Sequence, residues 1–399
     1  MSEPDVARRQ YEAAAALHRQ GRLAEAEAAY RAVLARRRDA PLLANLASVL
    51  RGLDRFDEAV ALLEEAARAA PAHPDIRFNL GNACRAAHRW AEAEAAYRET
   101  LRLAPDHARA RLHLGHLLLS LGRWAEGWPL YEARLEVPGE GVSAPLTKFP
   151  MWRGEDLAGR SILITIEQGL GDEIMFARFA PALRRRGAAK VTLASRRLLA
   201  PLMADLADEI IVVDAEASVP PHDYWVYPAS LPGRLGVSLE TLSGAPYLAV
   251  PAGRQAKWSG FAAPGFNVGV VWHGNPNQPR DRYRSLPSPE ALAPLRDCGA
   301  RIIDLQVPRE DFGDLAAIMA QLDLVVSVDT APAHLAGALG VPCWIPYPWA
   351  GTDWRWLWDR ADSPWYDAVT LYRQDRHGDW AGVMARMAAD LKALVARTA

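Results

Sequence analysis

The sequence predicts an α + α/β protein: an N-terminal helical solenoid followed by two doubly wound α/β lobes. Three observations predict it. Similar helical segments recur in the first third, with starts at Gly21, Asp54, His88 and Gly122, the mark of a repeat array. Short β-type apolar runs then alternate with helical segments, which implies parallel sheets covered by helices. Those runs fall into two sets, which gives two Rossmann-like lobes with ligand expected at the carboxyl ends of the strands. At 399 residues, the chain is also too long for one ordinary core.

The composition excludes several function classes. Half of the residues are apolar and 24% are charged, with a net charge of -2. Nothing there points to nucleic acid or to electrostatic membrane binding. Cys84, Cys298 and Cys343 lie far apart and form no CxxC, so neither a disulfide framework nor a zinc site is expected. The first 20 residues contain no apolar signal core. No uncharged apolar run reaches the roughly 18 residues of a membrane span. A cytoplasmic location is expected, with no membrane span and no nucleic-acid partner.

The repeats begin "GRLAEAEAAYRAVL", "DRFDEAVALLEEAA", "HRWAEAEAAYRETL" and "GRWAEGWPLYEARL", separated by 33, 34 and 34 residues. Ala14, Ala47, Gly81 and Gly115 are small, so the second helix of each unit can approach the first. Leu23, Phe56, Trp90 and Trp124 fill the space after the turn. Ala26, Ala59, Ala93 and Gly127 keep neighbouring helices close, and Tyr30, Leu63, Tyr97 and Tyr131 supply bulk. Pro71 and Pro105 close the second and third units, since proline cannot continue a helix. This pattern resembles the tetratricopeptide repeat (TPR) over about residues 7–140. The resemblance implies an α-solenoid whose concave face takes a peptide or protein, or an array that is only structural.

Beyond it, "GEGVSAPLTKFPMWRGEDLAG" reads as a linker. Strands are expected at 161–167, 190–195, 209–214 and 223–228, then at 267–272, 301–306, 324–329 and 341–346. The stretch 236–254 reads as the crossover between lobes. Helices are expected at 172–187, 311–322 and 380–399.

Two strand-to-helix turns and one loop carry candidate chemistry. In "TIEQGLGDEIMF", Gly169 and Gly171 permit a tight turn and close ligand approach, and Asp172 falls at the N-cap or in the first turn. Asp is also an ordinary cap, and the third glycine of a dinucleotide fingerprint is missing. In "VVWHGNPNQPRDRYRSLP", His273 follows a strand, and Arg284 belongs to a loop whose guanidinium groups suit phosphate. In "VVSVDTAPAHLAGALGVP", Asp329 ends a strand, Thr330 can cap, Pro332 suits a first helical turn, and His334 lies one turn in. Free N–H groups at such a helix start favour an anion.

With its continuation Leu335-Ala336-Gly337-Ala338-Leu339-Gly340-Val341-Pro342, this last motif resembles bacterial glycosyltransferases of the heptosyltransferase type. The resemblance implies a GT-B fold. It implies that Asp329, Thr330 and His334 hold the diphosphate of a nucleotide sugar and that Asp172 is the general base on the acceptor hydroxyl. Arg284 stands nearest to the family's phosphate-binding lysine. Ala331 replaces a family glycine, which keeps the backbone farther from the phosphate. Gly169, Gly171, His273 and Gln306, at the end of the 301–306 run, complete the nucleotide-sugar set. No metal and no cofactor are expected. The expected division is residues 1–140 solenoid, 141–158 linker, 159–255 short first lobe and 256–399 nucleotide-sugar lobe. The function that follows is metal-independent, inverting transfer of a sugar from a nucleotide sugar to a protein or peptide acceptor on the TPR concave face. The alternatives are a catalytically degenerate interaction scaffold and a transferase for lipid or polysaccharide. Five of the 14 tryptophans lie between Trp344 and Trp358, either as core or as a wall for base or sugar, with Asp353 and Arg355 placed to contact hydroxyls in the second case. Ser363–Tyr366 and Arg373–Gln374 are expected to tie the last helix to the first lobe.

Overall fold

The computed structural model describes residues 3–139, 147–213, 219–278, 280–306 and 309–398. The chain divides into two compact units, residues 1–119 with 129–138 and residues 120–128 with 139–399.

The first unit is built from paired helices: α1 (Glu3–Arg19) with α2 (Leu23–Leu34), α3 (Ala40–Gly52) with α4 (Phe56–Ala69), and α5 (Pro74–Ala86) with α6 (Trp90–Leu103). Then follow α7 (Ala108–Ser120) and α8 (Trp124–Tyr131), and the division between units runs through α8. Ala14, Ala47, Ala26, Ala59 and Ala93 are fully buried, as are Tyr30 and Tyr97. A Cβ on Gly81 would stand 2.6 Å from the Tyr97 ring. One on Gly115 would stand 2.8 Å from the Tyr131 amide nitrogen. Backbone cannot retreat as a side chain can, so Gly115→Ala should cost about 1–3 kcal/mol by overpacking, beyond alanine's helix-propensity gain. Urea unfolding of the full chain followed by circular dichroism checks this; an unchanged or higher midpoint contradicts it.

Trp124 departs from its repeat position. It packs 5.3 Å from Trp365 and 5.6 Å from Trp128 between ring centroids, inside the second unit. Its bulk is spent on that core because aromatic partners there bury it completely.

The second unit holds two parallel sheets. The first contains β1 (Ser161–Ile164), β2 (Lys190–Arg196), β3 (Glu209–Val213) and β4 (Tyr224–Val226), in the order β3-β2-β1-β4. The second contains β5 (Asn267–Val271), β6 (Arg301–Asp304), β7 (Leu324–Ser327), β8 (Cys343–Tyr347) and β9 (Val369–Arg373), in the order β6-β5-β7-β8-β9. Every expected strand is present, each ending near or before its expected limit; Asp214 lies outside the described residues. β9 was not expected, because its sequence sits inside the aromatic tail.

Around the first sheet run α9 (Leu170–Ala177), α10 (Ala180–Arg185), α11 (Ala200–Met203) and α12 (Leu231–Leu235). The second carries α13 (Ala252–Lys257), α14 (Asp281–Arg284), α15 (Ala293–Arg296), α16 (Phe312–Met319), α17 (Ala331–Leu339) and α18 (Trp380–Thr398). The helix expected at 172–187 is two helices, broken before Pro181. In the segment read as a linker, residues 140–146 lie outside the described residues. Farther on, Met151 pairs with Trp225 of β4 and Trp152 is fully buried, so the lobe starts inside that segment.

α18 docks on the second lobe, not the first. Val383, Met384, Met387 and Leu391 pack with Val268, Val270, Leu324 and Val326 of β5 and β7. Arg373 and Gln374 follow it there, since they end β9 and Gln374 bonds the Tyr347 carbonyl at 2.9 Å. Ser363–Tyr366 does meet the first lobe, where Arg178 donates to the Trp365 carbonyl at 2.7 Å.

Both sheets reverse strand order at one place. In the first it is between β1 and β4, and in the second between β5 and β7. Ligands of doubly wound sheets bind at the carboxyl ends of the strands at such a point.

Candidate active site

The turns after β1 and β7 meet. A Cβ on Gly171 would stand 2.7 Å from the His334 ring and 3.5 Å from the Ala331 Cα, and α9 packs against α17. The two helix starts therefore face one region, bringing partial positive charge from both helix ends to it. The left-handed residue of the β1 turn is Gln168, with φ 57°. Gly169 has φ -91°. The glycines are thus required for close approach rather than for the tight turn itself.

Asp172 is the third residue of α9. Its Oδ2 accepts the Gly169 amide at 2.9 Å, closing the first turn. Its Oδ1 accepts from Arg355 of the other lobe, whose same nitrogen donates to Gln168 Oε1 at 3.1 Å. Burial pushes the Asp172 carboxyl above its ordinary range, against the pull of Arg355. Arg355 also grips both oxygens of Asp353, at 2.8 and 2.9 Å. Burial alone would raise Asp353, yet Arg355 outweighs it and holds that carboxyl well below the usual range.

On the β7 side, Thr330 is the N-cap residue of α17, but its hydroxyl donates to the Val328 carbonyl at 3.1 Å and makes no cap bond. Pro332 has no N–H and the Ala333 N–H donates to the Thr330 carbonyl at 2.9 Å, so what this helix start offers an anion is the positive end of its dipole rather than a row of free amides. Ala331 begins the helix in ordinary helical backbone, so no glycine is needed there. Asp329 Oδ1 accepts the Trp356 indole N–H at 2.8 Å. Burial and the neighbouring Asp353 push Asp329 up to about 6. His334 is buried, stacks on Trp356 at 5.2 Å and holds the Tyr366 hydroxyl at 3.0 Å through Nδ1. Burial, then the charge of Arg355, pulls His334 down to about 3, so its imidazole is neutral near pH 7.

At the second reversal point, Arg284 donates to the Asp329 carbonyl at 2.8 Å and to Asp281 at 3.1 Å. A Cβ on Gly274 would collide with Asp281 and come within 3.0 Å of both Arg284 and Thr330. Gln306 serves the turn itself. It accepts the Trp272 and His273 amides at 2.9 and 3.3 Å and donates to the His273 carbonyl at 2.9 Å. His273 Nδ1 donates to the Gly274 carbonyl at 2.8 Å. Those two residues shape the β5 turn, while Arg284, Asp329, Thr330, His334, Gly169, Gly171 and Asp172 gather at the meeting of the lobes.

Sequence reading offered Asp353 and Arg355 only as contacts for ligand hydroxyls, and it did not place Trp356, Tyr366 or Gly274 in the site. The signal for the first three was the Trp-rich run, whose residues have no helical or strand period. Arg373 fixes this loop by donating to the Trp356, Leu357 and Arg360 carbonyls at 2.7, 2.9 and 3.0 Å. Leu357 has φ 51° and ψ 179°, a conformation almost reserved for glycine. Such strain concentrates where a loop must present side chains to a site.

Residues 295–344 match glycosyltransferase family 9 (heptosyltransferase), and residues 38–106 and 85–136 match tetratricopeptide-repeat families. The chain is thus similar to tetratricopeptide-repeat families within residues 38–136 and to glycosyltransferase family 9 over residues 295–344. The matched stretch includes β7 and the Asp329–His334 turn, and stops short of Asp172, Arg284 and Arg355. The chain is 30% identical over 299 residues to Protein FlbA of Caulobacter vibrioides, covering 62% of this chain and 49% of that protein. It thus spans about half the length of the curated relative it matches. A crystal structure of MamA is 18% identical with a TM-score of 0.32, covering 34% of this chain and 79% of that one. PcrH from Pseudomonas aeruginosa is 18% identical with a TM-score of 0.28, covering 29% and 94%. Among the described residues, no helix is long and apolar enough to cross a membrane.

Proposed function

We propose that the second unit is a GT-B glycosyltransferase that moves a sugar from a nucleotide sugar to an acceptor presented by the TPR array, most simply a protein, in the cytoplasm. What carries the reading is the meeting of two helix starts and two arginines at the reversal points of both sheets. In it, the diphosphate lies at the start of α17, against Thr330 and Arg284. The positive end of the helix dipole and guanidinium charge stabilise the leaving diphosphate electrostatically, which is why the reading is metal-independent. His334, neutral, serves as a hydrogen-bonding group rather than a cation. Asp172 takes the proton of the acceptor hydroxyl as that oxygen attacks the anomeric carbon from the face opposite the leaving group, giving inversion.

Protonation of Asp329 removes a negative charge beside that diphosphate. Since Asp329 lies near 6, affinity for a nucleotide sugar should rise several-fold as pH falls from 8 to 5.5. Asp329→Asn should bind tightly at both ends of that range. Titration calorimetry checks this, and affinity that falls with pH in the wild type contradicts it. Over this window His334 stays neutral and adds no slope.

The scaffold reading is favoured by one observation, the engagement of Asp172 with Arg355 and Gly169. Thermal unfolding against UDP-, GDP-, ADP- and CMP-sugars separates the two readings. The transferase reading expects a raised midpoint with one nucleotide class; no shift with any of them, and no hydrolysis, supports the scaffold.

A further inference from the structure

One imidazole in the site has a nitrogen that the fold leaves unused. His334 lies in the first turn of α17 and is 5% exposed. One face of its ring stacks on Trp356. Another edge abuts the first turn of α9, where a Cβ on Gly171 would stand 2.7 Å from Cδ2 and 3.3 Å from Nε2. Nδ1 is taken by the Tyr366 hydroxyl at 3.0 Å. Among the described residues, Nε2 has no hydrogen-bond partner. A polar atom of a buried residue without a partner calls for an explanation, and this one stands where the two helix starts face each other.

Tyr366 is placed to hold that ring. It is fully buried, and a Cβ on Gly337 would collide with its ring. Gly337 follows His334 by three residues, on the same face of α17, so Tyr366 covers both positions. The imidazole is neutral near pH 7 and carries one N–H. The polarity of the Tyr366 bond decides which nitrogen has it. The Tyr366 hydroxyl stays protonated, because burial raises it well above its ordinary range. Its hydrogen has two acceptors to choose between, Nδ1 and the Tyr247 hydroxyl that also acts on it.

Two features favour Nδ1. An imidazole nitrogen is a stronger acceptor than a phenol oxygen. In addition, the Arg178 guanidinium lies over the Tyr247 and Tyr366 rings at 4.3 and 4.8 Å. A cation on a phenol ring draws density from its oxygen, which makes both hydroxyls better donors and poorer acceptors. Tyr247 accordingly donates to the Ile174 carbonyl at 2.7 Å. The positive ends of α9 and α17 act the other way, favouring a lone pair at Nε2. That pull is weaker than the cost of turning a buried hydroxyl to a poor acceptor.

We infer that Tyr366 is a positioning residue: it donates to Nδ1 and so holds His334 as the Nε2–H tautomer. The ring then presents a neutral donor to an oxygen of the ligand. The identity of that oxygen rests on the diphosphate reading above; the tautomer does not.

The test is nitrogen-15 NMR of the full chain labelled at its 10 histidines, at pH 7. His334 is identified by the signal missing from His334→Gln. The wild type should show Nε2 protonated and Nδ1 bare. Tyr366→Phe, which loses the hydroxyl and keeps the ring, should show a mixture of tautomers. Inorganic pyrophosphate should shift the wild-type Nε2 signal, and by titration calorimetry Tyr366→Phe should bind it roughly three- to tenfold more weakly, the worth of one hydrogen bond. His334→Gln puts an amide nitrogen near the place of Nε2 and needs no tautomer, so adding Tyr366→Phe there should cost less than about twofold. A packing role for Tyr366 would cost the same in both backgrounds. Should Tyr366→Phe lose its circular dichroism, the wild-type spectrum still decides the tautomer. Nδ1 protonated in the wild type, one unchanged tautomer in folded Tyr366→Phe, an Nε2 signal unmoved by bound pyrophosphate, or equal losses in both backgrounds overturns the proposal. Pyrophosphate that does not bind a wild type with the expected tautomer contradicts the diphosphate reading and supports the assignment of Tyr366.

Discussion

Asp172→Asn is expected to lower the rate of sugar transfer by about 10²–10⁴-fold while leaving nucleotide-sugar affinity within a few-fold. The amide keeps the shape of the carboxylate and its contact with the Gly169 amide, but it cannot take a proton. Arg355 sets the pH at which the wild-type carboxylate is available. Its cation opposes the upward push of burial on Asp172. Removing it raises the Asp172 pKa, so Arg355→Gln should move the acid limb of the rate profile to higher pH. Arg355→Lys should move it less. A merely structural role for Arg355 would change rate or stability without moving the limb. Transfer that persists in folded Asp172→Asn removes Asp172 from the role of base.

Trp356→Ala is expected to destabilise the second unit by about 3–5 kcal/mol, the range for emptying a large aromatic site. Trp356 is fully buried, and it stacks on His334 while donating to Asp329. Its loss therefore leaves a cavity and an acceptor without its donor. Trp356→Phe separates the two effects, keeping most of the volume and losing the indole N–H. Without that bond, which favours the ionised form, Asp329 should rise further, and tight nucleotide-sugar binding should extend to higher pH. Calorimetric unfolding with titration at pH 6 and 8 reads both. A Trp356→Ala midpoint equal to wild type contradicts the packing described for this loop.

The repeats were legible because a helix pair has a fixed period and demands small residues at fixed places. Gly81 and Gly115 announce close approach wherever they stand. The strands were legible because each is a short β-branched run between breakers. The turn from Asp329 to His334 was legible because strand end, proline and helix lie consecutively in the chain. What escaped depends on contacts distant in sequence. Arg355 reaches Asp172 across 183 positions, and no local pattern records that. Gln306 was assigned to ligand because it ends a strand near the site, yet its amide matches the backbone of the adjacent turn. Trp124 holds a repeat position by spacing but a place in the other unit by packing. β9 was hidden by the aromatic density of its surroundings.

The central claim is that a nucleotide sugar occupies the region where the turns after β1, β5 and β7 converge. Hydrogen–deuterium exchange of the full chain tests it most directly, with and without the nucleotide sugar that raises the thermal midpoint. The account predicts slowed exchange at residues 169–173, 272–275 and 329–335, with α1 to α6 unchanged. Protection confined to the repeat helices, or slowed exchange that leaves residues 329–335 untouched, would contradict it.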